Sequence, residues 1–112
     1  MRIHIKNNSV LPKRIFAIGR GSYGFDQLDF VFSKEWKKLS IKIIFISPTG
    51  DRTGISFDGS PIKIPRNILA SRGKSLIFAV GTKGDDTLTS MNIELWVTGE
   101  RPQSDTEDSD DG

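Results

Sequence analysis

The residues of this chain that could do chemistry are few, and most of them stand where turns are expected. Gly19-Arg20-Gly21-Ser22-Tyr23-Gly24 has the spacing G-x-G-x-x-G, which in dinucleotide-binding units lets the backbone approach a pyrophosphate at the start of a helix. Here the motif is followed by FDQLDFVF, whose apolar residues fall at alternate positions, and that period belongs to a strand. No acidic residue closes a second parallel strand at the required distance. The stretch therefore reads as a glycine loop between two strands, with Arg20 and Tyr23 at its tip as partner contacts.

The catalytic inventory is equally thin. There is no cysteine and a single histidine, His4, so thiol chemistry and Cys- or His-rich metal sites are excluded, and a Ser-His-Asp arrangement would have to use His4. Asp26 and Asp29 stand three apart on a strand, hence on opposite faces, and Asp85 and Asp86 belong to a turn, where aspartates bond locally. The twelve-residue pattern of an EF-hand is absent. These observations point away from an enzyme, and no cofactor is expected. Lys34, Lys37, Lys38 and Lys42 gather around Trp36, the kind of basic, aromatic patch that binds single-stranded nucleic acid. No pair of exposed aromatics is evident to complete a stacking platform, so nucleic acid is not the expected partner, and a single-stranded nucleic-acid-binding module stands as the alternative reading.

Charge is unevenly distributed. Net charge is +2, but SDTEDSDDG at the end carries five acidic residues, which leaves sixteen basic against nine acidic residues, or +7, in the remainder. That last stretch has no apolar residue to offset its ordering entropy, so residues 102–112 are expected to be a disordered acidic tail behind one domain at 1–101. No apolar run approaches the roughly 20 residues that span a bilayer, and Met1-Arg2-Ile3-His4 is too polar to open a signal peptide. The chain reads as soluble and not exported, with no membrane partner.

The elements that position these residues are organised around Phe25 to Phe45. Leu28, Phe30 and Phe32 alternate with polar neighbours as in a half-buried strand, and Ile41, Ile43 and Phe45 resume the pattern. Between them, Ser33-Lys34-Glu35-Trp36 predicts one short helical turn capped by the Ser33 hydroxyl, with Trp36 turned back to plug one end of a sandwich core. Arg2 to Lys6 predicts an edge strand with Arg2, His4 and Lys6 facing water. A turn at Asn7–Ser9 and Pro12 lead into a strand at Arg14–Ile18. A hairpin is expected across Ser47–Asp51, a turn at Asp58-Gly59, a brief strand at Ile62–Ile64, and a helix over Pro65–Arg72 with Gly73 just past its end. Leu76, Phe78 and Val80 alternate with Ile77 and Ala79, so that strand is apolar on both sides and should lie centrally. After a turn at Thr82–Asp86, Met91, Ile93, Leu95 and Val97 form the last buried stripe. Trp96 falls on the wetter face, where it covers a sheet edge or anchors a partner. The expected core is Ile15, Leu28, Phe30, Phe32, Trp36, Ile43, Phe45, Phe57, Leu76, Phe78, Val80, Met91, Ile93, Leu95 and Val97.

The order F-x-F-S-x-E-W-x-x-L, an apolar strand ending in Phe45, S-F-D-G, I-K-I-P-x-x-I-L-x-x-x-G, a strand closing on Gly81-Thr82-x-Gly84-Asp85, and W-V-T-G resembles a known group. It is similar to the small immunoglobulin-like β-sandwich domains in structural proteins of tailed bacteriophages and prophages, such as baseplate upper protein N-terminal domains and tail or head fibres. The resemblance covers about Phe25 to Gly99. It implies an all-β immunoglobulin-like sandwich of about seven antiparallel strands with one short helix. It also implies a virion component of baseplate, fibre or capsid decoration, assembled in the cytoplasm of a bacterial host and docking on capsid, tail or baseplate proteins. Arg2, His4, Lys6, Arg20, Tyr23 and Trp96 are the expected partner contacts. A homo-oligomer and a host-surface glycan stay open as further partners, and the resemblance carries no catalytic residue.

Overall fold

A computed structural model of the chain describes residues 2–18 and 27–98, with Ala17, Ile18 and Thr98 described as backbone only. The glycine motif at 19–24, with Arg20 and Tyr23, and the acidic stretch at 102–112 lie outside the described residues. Among those that are described, β-strands in two sheets dominate and helix is minor. The smaller sheet contains β1 (Arg2–Lys6), β2 (Ser9–Leu11), β4 (Gln27–Phe32) and β7 (Ile62–Lys63), in the order β2-β1-β4-β7. The larger contains β3 (Arg14–Ile18), β5 (Ser40–Ile46), β6 (Arg52–Ser56), β8 (Gly73–Lys83), β9 (Asp86–Thr89) and β10 (Ile93–Thr98), in the order β3-β10-β8-β5-β6 with β9 also on β8.

Alternation decides which side chains are inside. Ile3 and Ile5 of β1, Leu28 and Phe30 of β4, Ile43 and Phe45 of β5, and Ile93, Leu95 and Val97 of β10 join one buried cluster. Each such side chain contributes about 1.5–3 kcal/mol when fully buried. The helix α1 (Arg66–Leu69) adds Ile68 and Leu69 to that cluster. It is shorter than the sequence suggests: Pro65 stands at the N-cap, Ala70 at the C-cap, and Gly73, at φ +111°, opens β8.

Between β4 and β5 the chain passes from one sheet to the other through a single 3-10 turn at Lys34–Trp36, and Trp36 is completely buried there, as its position at the corner predicts. The capping expectation fails. The Ser33 hydroxyl makes no cap bond and instead accepts the Asn7 N–H at 3.0 Å, while the Trp36 indole N–H donates to the Asn7 carbonyl at 2.8 Å. Asn7 holds φ +55° in the two-residue β1–β2 turn, a conformation Asn tolerates better than most residues. The aromatic corner thus clamps the turn of the neighbouring hairpin through both main-chain groups of one residue.

Three further expectations are corrected. β1 is not an edge strand: it pairs antiparallel with β2 on one side and parallel with β4 on the other. On β8 the buried side chains are Ser75, Ile77, Ala79 and Gly81, while Leu76, Phe78 and Val80 are half-buried on the opposite face. Volume selects that phase, because even a methyl group at Gly81 would sit 3.0 Å from the Trp36 ring, so only the small-residue side of β8 fits beneath the corner. Met91 is 54% exposed because β10 begins two residues later. Residues 90–92 leave the ladder: the Ser90 hydroxyl accepts the Ala79 N–H and the Met91 N–H donates to the Asn8 carbonyl of the other sheet. β9 was not foreseen; it pairs with β8 across the two-residue turn Gly84-Asp85, with Gly84 at φ +60°.

Candidate interaction surfaces

The displaced phase of β8 creates the most conspicuous surface of the molecule. Leu76, Phe78 and Val80 face away from the core, and register places Ile46 beside Leu76 and Ile44 beside Phe78. Gly54 lies opposite Ile44 and offers no side chain, so the isoleucine spreads over it. On the other flank Trp96 is opposite both Lys74 of β8 and Phe16 of β3, and Phe16 is 67% exposed. Seven apolar side chains from four adjacent strands therefore share one outer sheet face, where an ordinary solvated sheet would alternate to polar residues.

Charges frame this face. The Arg52 guanidinium lies 5.8 Å from the centre of the Phe78 ring. The Glu94 carboxylate accepts the Trp96 indole N–H at 3.0 Å and the Arg14 Nε–H at 3.1 Å. These two bonds, the indole first, hold the Glu94 carboxyl below its ordinary range. The first of them also restrains the Trp96 side chain, which is 36% exposed.

The outer face of the smaller sheet is different in kind. Arg2, His4 and Lys6 do face water from β1, flanked by Asp29 and by exposed Leu11 and Val31. They are solvent-facing side chains on an interior strand, and so mark a polar face, not a pairing edge. Of the expected contacts, the structure thus places Arg2, His4 and Lys6 on one sheet and Trp96 on the other; it does not bring them together. Trp36 is inside the core, so its own ring is not available to those lysines as a surface on which a base could stack. The paired exposed aromatics that the sequence did not reveal are Phe16 and Trp96.

A second feature is a cleft of about 520 Å³ at the open side of the sandwich, between β4, the 3-10 corner and the chain leaving β6. Phe30, Phe32, Trp36 and Phe57 line it as one aromatic group, with Phe32 centred 5.1 Å from both Trp36 and Phe57. Leu39 and Ile41 complete the apolar wall, and Lys37 and Asp58 stand on its lips. Among the described residues no group of three or more His, Asp or Glu side chains is arranged to hold a metal, and no helix is long and apolar enough to cross a membrane. No family model matches the chain, and no curated protein matches it.

Proposed function

We propose that this chain is a non-catalytic docking domain and, on the strength of the F-S-x-E-W-x-x-L resemblance, a structural component of a tailed-bacteriophage particle. The observation that carries the docking reading is the apolar outer face of the larger sheet, centred on Leu76, Phe78, Ile44 and Ile46 and bordered by Phe16 and Trp96. A contiguous, half-exposed apolar surface of this kind marks an interaction site, and a rigid indole flanked by charge suits a contact anchor. The immunoglobulin-like reading is supported by strand order: β10-β8-β5-β6 runs as G-F-C-C′ would, with β4 and β7 in the opposing sheet. Two parallel pairs, β1 with β4 and β3 with β10, are the features that the antiparallel expectation did not include. Partners would be capsid, tail or baseplate proteins of a virion assembled in a bacterial host.

The test is mass spectrometry of particles banded on a density gradient, calibrated against the major capsid protein. A fixed ratio in intact particles supports the structural role, and its value separates a decorating protein from one at a vertex or tail. Phe16→Ser with Phe78→Ser should reduce incorporation while the free domain stays folded; absence of the native chain from the particles removes the virion reading.

The adjacency of Phe16 and Trp96 favours one second reading, a glycan-stacking surface on the virion. Because Trp36 is completely buried, a fluorescence response to host glycans would report Trp96 and should vanish in Trp96→Ala.

A further inference from the structure

We propose that the edge of β4 that no described strand covers, with the aromatic cleft beside it, is a docking groove for an extended segment of a partner protein in which apolar residues alternate with acidic ones. The groove is separate from the sheet face above. It rests on the docking reading only for the class of partner, and the two ideas fail in different experiments.

The edge follows from the pairing pattern. β4 is paired along Asp29–Phe32 with β1, but on its other side β7 reaches only Gln27 and Leu28. Main-chain groups alternate between the two edges of a strand. The Ser33 N–H donates to Ile5 of β1, so residues of its parity, Val31 and Asp29, face β1. Phe30 and Phe32 therefore direct their N–H and C=O groups to the opposite edge, where no described strand pairs with them. The cleft opens at that edge: the consecutive residues Phe30, Val31 and Phe32 all line it, which strand alternation permits only when a cavity meets the side of a strand rather than its face.

These features fit one kind of occupant. An added strand would satisfy the donors and acceptors of Phe30 and Phe32, and its alternate side chains would enter the aromatic cleft. Charge decides the residues between them. Lys34, Lys37 and Lys38 are exposed on the corner beside the groove, and the ion pair seen among the described residues, Arg14 with Glu94, involves none of them. The acids nearby are Glu35, beside Lys34, and Asp58 on the opposite lip, two against three lysines. The rim therefore carries a net positive charge, which favours acidic residues in an incoming strand. The chain's own acidic stretch at 104–112 has the charge but no apolar side chain to fill the cleft, so a different protein is the better match.

The test uses the full chain and a labelled synthetic peptide, TVEFEVT, whose Val-Phe-Val face suits the cleft. Fluorescence anisotropy should show saturable binding below about 1 mM, and amide spectra should place the largest shifts and new exchange protection at Phe30 and Phe32. N-methylation of the peptide's central residues, which removes donors and keeps side chains, should weaken binding at least about tenfold. Lys37→Glu with Lys38→Glu, both exposed and remote from the core, should weaken TVEFEVT about fivefold and improve TVKFKVT. The proposal is overturned by no binding, by shifts confined to other strands, by equal binding of the N-methylated peptide, or by indifference to the charge swap. It is also overturned if the chain alone self-associates with Phe30 and Phe32 protected, since the occupant would then be a second copy.

Discussion

Replacing Gly81 by alanine tests the packing that sets the phase of β8. A Cβ at this position would lie 2.7 Å from Leu39 Cδ1, 3.0 Å from Leu39 Cβ and 3.0 Å from Trp36 Cε3, where carbon pairs prefer about 3.5–4.0 Å. The end of Leu39 can swing, but its Cβ is attached to the chain, and the Trp36 ring is held by its bond to Asn7. Overpacking of this sort costs about 1–3 kcal/mol, and the gain from replacing glycine in a strand offsets about 0.5–1 kcal/mol of it. The net loss should be up to about 2.5 kcal/mol, which for a domain of this size lowers the melting temperature by up to about 15 °C. Urea denaturation followed by tryptophan fluorescence gives the same quantity through the midpoint. Gly54→Ala is the matched control, because its Cβ meets only the flexible Cδ1 of Ile44, at 3.3 Å; it should be within about 0.5 kcal/mol of the native chain. If Gly81→Ala melts at or above the native temperature, or Gly54→Ala loses as much, the account of why β8 turns its large side chains outward is wrong.

Trp36→Phe keeps an aromatic plug but loses the bond to the Asn7 carbonyl, and should cost about 1–2 kcal/mol in chemical denaturation; an unchanged midpoint would remove the clamp from the argument. Ser75 is completely buried with no hydrogen-bond partner for its hydroxyl among the described residues, so Ser75→Ala should raise stability by up to about 1 kcal/mol, and a loss of that size would mean the hydroxyl is satisfied. Because the folded-state pKa of Glu94 is lowered, its contribution is present above the unfolded value and is lost as pH falls through the folded one. Trp96→Phe removes the larger cause, so the Glu94 titration followed by carboxyl NMR should move up toward the ordinary carboxylate range, while a fixed midpoint would show Arg14 to be sufficient.

The strands with one polar side were legible because alternation is a local property. Arg2–Lys6, Gln27–Phe32 and Ile93–Val97 bury the residues their period assigns. Trp36 was legible as a plug from its place between two such strands. What could not be read there was pairing. Nothing local distinguishes an edge strand from one that a hairpin partner and a parallel neighbour enclose, so the alternation of β1 fits either, and only its pairing shows it to be interior.

The apolar face was hidden for a related reason. The runs Ile43-Ile44-Phe45-Ile46 and Leu76-Ile77-Phe78-Ala79-Val80 announce strands with two apolar sides, but such a run is equally consistent with burial on both faces. The missing signal is an element to cover the second face, and among the described residues only the four-residue α1 lies outside the strands and single turns. By itself, then, the sequence determined most of the strands, the inward residues of each polar alternation and the aromatic corner, since each is a matter of residue type and period. The tertiary structure alone decided which side of β8 faces the core, where the sheets end and what is exposed. Those depend on volumes meeting across the sandwich, as Gly81 meets Trp36, and on hydrogen bonds between residues far apart in the chain, as Trp36 meets Asn7.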